Sequence, residues 1–342
     1  MKPPCWLAVL AWVLVARPSA GYTVGTRFSD ACHERITVAA YAQSLARLSV
    51  DYVPPARGAA ADKLSTYFVH QFDLSLNDDR QRNLLMSLLI GVQAPDTHGR
   101  SLLELENTRN IHAAPDDQYA HALRKPTDDG IEGDLDAISG ARAHIESLLE
   151  KLRIELKKPR EQQFITVEYY IDYYGLLKAD VWSPAFYLGG ALHALQDSFS
   201  HSIRSDDLRH IRHVFNYVDA ITHEHDESRD GLRHSASMDL CSNDTLPLLN
   251  AARTASIELL LAAREAPDET RAVLDRWLTH ESGCTFDNGY CGSPWVAVAR
   301  RESTEPYLGC TQAPADAPAP LALAIIVLWL IRRQGAPCRP EG

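Results

Sequence analysis

Residues 189–202, GGALHALQDSFSHS, set His193, Asp197 and His201 at intervals of four. On an α-helix each step of four residues advances by about 400°, so the three side chains stay on one side with a drift of roughly 40° per step. Imidazole nitrogen and carboxylate oxygen are ligands suited to Zn²⁺, and a carboxylate between two imidazoles can bridge two ions. Leu192, Leu195, Phe199 and Ile203 make the neighbouring face apolar. That puts the polar trio at the edge of a helix-packed core, where unpaired polarity is costly. A second cluster follows in RHIRHVFNYVDAITHEHDESRD, where His223 and Glu227 are again four apart. It offers one imidazole and one carboxylate from a next helix, with His225 and Asp226 as substitutes in other registers. His210 and His213 have no carboxylate in phase and read as surface or structural residues.

Ligands so spaced need helices to hold them, and helix-period apolar patterns dominate the chain. ITVAAYAQSLARL, RQRNLLMSLLIGV, ISGARAHIESLLEKLRIELKK, TLPLLNAARTASIELLLAAREA and the long run from Phe164 to Ile203 all place apolar residues three and four apart. LGGALHAL adds small residues that permit close packing. No set of alternating strands bounded by hairpin turns stands out, so the expected fold is all-α, a single multi-helix domain over residues 21–283. DYVPPARGAAADK and HAAPDDQYAHALRKPTDDGIEGD, rich in Pro, Gly and Asp, are expected loops.

The 342 residues carry a formal net charge of −11, which argues against a basic face that grips an extended nucleic-acid track. The first twenty residues combine Lys2, an apolar run from Cys5 to Ala16 and small residues at Ser19 and Ala20. They read as a signal peptide that directs export. In an oxidising compartment the body cysteines Cys32, Cys241, Cys284 and Cys291 suit two disulfides. CTFDNGYC encloses an Asn-Gly turn that can close Cys284 on Cys291, which leaves Cys32 with Cys241. Residues 284–309 are expected to be a disulfide-closed appendage and linker. The tail, 310–342, resembles the C-terminal sorting tails of myxobacterial surface proteins: Cys310, a Pro/Ala-rich spacer, an apolar run from Leu321 to Ile331, then Arg332 and Arg333. That resemblance implies a mature protein held at the cell surface. A plain C-terminal anchor is the alternative.

The string HxxxDxxxH followed by HxxxE resembles the zinc-dependent phospholipase C superfamily, which includes single-strand-specific zinc nucleases. ALHALQDSFSHS is similar to the corresponding segment of the Het-C-like branch. The resemblance implies a phospholipase C type of helical fold, two or three Zn²⁺ ions and further ligands upstream. SDACHERITVAA offers His33, GVQAPD offers Asp96 and NIHAAPDD offers His112. It implies that His193, Asp197, His201, His223 and Glu227 hold or bridge ions, that Asp96 and His112 bind the ion nearest the bridging carboxylate, and that Asp96 orients or deprotonates the attacking water. Family members also use an N-terminal Trp as a ligand. Cleavage after Ala20 leaves Gly21 and Tyr22, so the third position lacks that residue. The implied activity is hydrolysis of a phosphodiester, with membrane phospholipid as the first substrate. A nuclease of the same fold and a non-catalytic, metal-stabilised surface interaction module are the alternatives. Ser198, Ser200 and Ser202 lie in no Gly-x-Ser-x-Gly elbow, which excludes serine-hydrolase chemistry of that kind.

Overall fold

The computed structural model describes residues 31–301, apart from 49–52, 73–77, 102–113, 115–116, 126–129, 172, 217–225 and 236. The proposed leader and sorting tail lie outside the described residues, as do His112 and His223. Helices predominate: α1 (Cys32–Ser44), α2 (Ala61–Gln71), α3 (Asp79–Thr97), α4 (Gly130–Leu156), α5 (Ser183–Ser200), a single turn α6 (Glu227–Asp230), α7 (Leu246–Ala262), α8 (Pro267–Trp277) and α9 (Pro294–Arg300). No helix among the described residues is long and apolar enough to cross a membrane.

The all-α expectation holds for the bulk of the chain and fails at two small sheets. Phe164–Ile171 (β1) and Gly175–Trp182 (β2) form an antiparallel hairpin with Phe164 opposite Trp182. The apolar residues here fit a helical period by spacing, yet the segment is dense in β-branched and aromatic residues that favour strands. Val167, Tyr169 and Ile171 on one strand, and Leu177, Ala179 and Val181 on the other, alternate into the core. Gly175, at φ 72°, closes the turn. A three-stranded sheet joins Ser202–Arg204 (β3), His210–Val214 (β4) and Thr279–His280 (β5) in that order. His210 and His213, read as surface or structural residues, thus lie on a strand. His210 is exposed, whereas His213 is buried against Asp134 at 3.1 Å, a structural role.

The core is one cluster in which α5 is central. Its residues from Leu188 to Ser200 are nearly all buried, with α3, α4 and α7 packed around it. Pro184 starts α5, where a missing N–H costs nothing. The α3–α5 crossing depends on glycine: a Cβ at Gly189 would sit 2.2 Å from the Leu88 carbonyl oxygen, and one at Gly91 would sit 2.1 Å from that of Phe186. Only hydrogen at these positions lets the two backbones approach so closely.

Two disulfides join Cys32 to Cys241 and Cys284 to Cys291, with Cα atoms 5.6 and 5.0 Å apart. Such bonds suit an oxidising environment. The segment beyond Cys284 is more than an appendage, because Tyr290, Trp295, Val296, Val298 and Ala299 are buried in the same core. The apolar residues there are few, but they sit on one face and complete an existing core rather than build a second.

Candidate metal centre

Four elements deliver carboxylates and imidazoles to one buried region at the C-terminal end of α5. His33 enters from the first turn of α1, Asp96 from the last turn of α3, His121 from a 3₁₀ turn (Gln118–His121), and His193 and Asp197 from α5. The Asp197 carboxylate is the hub. One oxygen lies 3.1 Å from His33 Nε2; the other lies 3.0 Å from His193 Nε2 and 3.2 Å from His121 Nδ1. Asp96 completes the assembly, 3.6 Å from His121, 3.8 Å from His193 and 3.9 Å from His33. Two groups can hold an ion here: His33 with His193 and Asp197, and Asp96 with His121 and His193.

His201 keeps a longer contact with its helical partner, its Nδ1 lying 3.9 Å from Asp197, and also faces a second set of groups. It caps α5 with φ −100° and ψ 19°, so its ring turns toward His234 and Asp239. His201 Nε2 lies 3.1 Å from His234 Nε2, and Asp239 lies 3.5 Å from His201 and 3.1 Å from His234. These three form a further group able to hold an ion. A short backbone segment locks it beside the first two. Phe215 donates to the His201 carbonyl and accepts from Arg124 of the His121 turn, while the Asn216 carbonyl accepts from His234 N–H. Arg204 secures the end of α5 by donating to the Ser198 carbonyl. The Cys32–Cys241 disulfide ties the start of α1, next to His33, to the loop that carries Asp239.

The surrounding hydrogen bonds suit ligation. His33 Nδ1 faces the Gln196 carbonyl oxygen at 2.8 Å, and Gln196 spends its amide hydrogens on Thr37 and Ser256. Its oxygen must therefore accept, which makes His33 Nδ1 the donor, so that loss of the Nε2 proton gives a lone pair directed toward Asp197. His201 Nδ1 likewise donates to the His121 carbonyl, at 2.5 Å, turning the Nε2 lone pair toward His234. An acceptor nitrogen facing a second imidazole nitrogen and a carboxylate is an arrangement that a cation satisfies. The buried Nδ1 of His193 has no hydrogen-bond partner among the described residues.

Electrostatics divide these groups sharply. Burial alone would depress His33 and His201, but nearby carboxylates outweigh it and hold both at about 9: Asp197 and Asp96 for the first, Asp197 and Asp239 for the second. Burial wins at His193, driven down to about 3, and it lowers His121 as well. Among the carboxylates, burial pushes Asp96 well above the usual range. Asp197 is also buried, yet His193, His201 and His33 together hold it well below that range. Neighbouring groups thus differ in proton affinity by several decades, the condition under which charge is managed inside a site.

Of the residues singled out from sequence, the structure brings together His33, Asp96, His193, Asp197 and His201. It does not bring Glu227 to them. That carboxylate sits on the one-turn α6 and pairs with Arg300 near the surface, because the chain around it is not the long helix that a spacing of four presumes. His121, His234 and Asp239 are members of these groups that sequence reasoning missed. His121 follows the Asp96 segment at a distance that suits it as well as His112, so order alone could not choose between them. His234 and Asp239 are five apart in a loop, where no periodicity marks them. No family model, curated protein or solved structure matches the chain.

Proposed function

We propose that the chain is an exported, surface-held hydrolase of phosphodiesters with a multinuclear zinc centre, acting as a phospholipase C on membrane phospholipid. The observation that carries this reading is the adjacency of three buried His/Asp groups, two of them sharing His193 and the third linked through the end of α5. Zinc matches the donor set of imidazole nitrogens with single carboxylates and no thiolate. Zinc ions so placed neutralise charge on a phosphate and lower the pKa of a bound water toward ~7.

Within such a centre Asp197, in contact with both His33 and His193, would help to hold zinc beside them. Asp96, whose proton affinity burial raises, is the group able to take a proton from the attacking water. Asp239, held below the usual range beside His234 and His201, stays anionic. The acidic balance of the chain favours a lipid over a long nucleic-acid track. The disulfides and the sequence of the tail support an exported, membrane-associated setting.

One observation favours a second reading. The eight ligand side chains are at most 3 % exposed among the described residues, as in closed structural zinc sites. That suits a metal-stabilised surface interaction module without turnover. The test is metal content by mass spectrometry, followed by assays on phosphatidylcholine vesicles and on single-stranded DNA. Two or three zincs with release of diacylglycerol support the phospholipase, and cleavage of DNA alone points to the nuclease. Zinc without any hydrolysis supports the interaction module; no zinc removes all three readings.

A further inference from the structure

At the other end of the helix bundle, about 12 Å along α3 from Asp96 as counted from Leu88, an apolar cavity of about 260 Å³ lies between α1, α3, α4, α5 and α7. Leu88, Leu152, Leu188 and Leu260 form its interior. A cavity of ~150 Å³ in a comparable apolar setting accepts a benzene ring, so this one has room for roughly ten carbon atoms. Two polar features break the hydrocarbon lining. Tyr41, 1 % exposed, brings a buried hydroxyl with no hydrogen-bond partner among the described residues. At the mouth stand the exposed guanidinium groups of Arg160 and Arg264, and Arg264 has no ion pair among the described residues. A buried donor left without an acceptor is costly, and a cation at the rim of an apolar slot selects an anionic end on an apolar chain.

We propose that this cavity binds one medium-chain fatty acid, its alkyl chain among the leucines and its carboxylate at the Arg264 rim. The site is independent of the metal centre. A cluster of leucines alone would take any hydrocarbon; the rim charge is what commits the occupant to a carboxylate.

Trp182 lines the cavity, and its indole N–H donates to Gln163, which fixes the ring as an internal reporter. The experiment titrates the purified full chain with 10-bromodecanoate, whose bromine quenches a tryptophan it touches, and with 10-bromodecanol as the uncharged control. Expected are saturable quenching by the acid, its disappearance in Trp182→Phe while calorimetry still records decanoate uptake, and about tenfold weaker decanoate binding in Arg264→Glu with decanol unchanged. Arg264 is exposed, so this variant tests the head group without disturbing the fold. Ala185→Leu, which fills the cavity from α5, should abolish uptake of both ligands. Absence of quenching, quenching that survives Trp182→Phe, or equal affinity for acid and alcohol would overturn the proposal.

Discussion

Gly189→Ala is the substitution whose consequence the geometry specifies most closely. The new Cβ would lie 2.2 Å from the Leu88 carbonyl oxygen and 2.7 Å from the Val92 nitrogen. Both are backbone atoms, so no rotamer change relieves the clash, and α3 and α5 must separate by about 1 Å to restore van der Waals contact. Overpacking of this kind costs about 1–3 kcal/mol, against which replacing a helical glycine recovers at most ~1 kcal/mol. The centre should suffer more than the fold. Asp96 rides on α3 while His193 and Asp197 ride on α5, and zinc sites tolerate ligand displacements of only about 0.2 Å. Zinc affinity should fall by about 100-fold or more, read by competition with a chromogenic chelator, while urea unfolding of the chelated protein shows a loss of about 1–2 kcal/mol. Gly190→Ala is the internal control, because its Cβ meets a flexible leucine end, Leu148 Cδ1, at 3.2 Å. It should leave both quantities near wild type. If the two variants behave alike, the close helix crossing does not set the ligand geometry and the reasoning fails.

The remaining expectations concern ligands, protons and the disulfide. Asp239→Asn should remove one zinc per chain and weaken binding by about 100-fold, whereas Glu227→Gln should keep the full complement; the reverse result would restore the ligand set read from spacing alone. Zinc uptake at pH 7 should release at least two protons, from His33 and His201, because both are held at about 9 and must be neutral to ligate, and Asp96, whose carboxyl burial pushes up, adds to that number. Calorimetry in buffers of different ionisation enthalpy reads that number, and it should decline as the pH rises through 9. In the chelated protein the same two imidazoles, raised above 6.5, stabilise the fold fully below that pH, a contribution lost as the pH climbs toward 9. Urea midpoints across that range check the sign. Breaking the Cys32–Cys241 bond by the paired change to serine opens a 209-residue loop and should cost about 2–5 kcal/mol. Zinc at the His201 group should be lost before zinc at Asp197, as metal analysis of the variant would reveal.

Sequence by itself determined the helical character of α1, α3, α4, α5 and α7, because in each the apolar period is long and sustained enough to dictate which face is buried. It also determined that His193 and Asp197 share one side of α5 and that LGGALHAL supplies small residues for close packing, since spacing on one helix is a local property. Tertiary structure decided everything that depends on where a helix stops. His201 belongs to His234 and Asp239 because α5 ends at Ser200 and the next residue turns out of the helical register. The position of the His121 turn depends on the Arg124 N–H bond to the Phe215 carbonyl, between segments about ninety residues apart. The β1–β2 hairpin was hidden for a related reason. Its apolar residues satisfy both a helical and an alternating count over a short window, and only packing of Val167, Tyr169 and Ile171 against the helices resolves which period is used. The proton affinities of the centre likewise have no counterpart in sequence, because burial and the approach of charges from five separate elements create them.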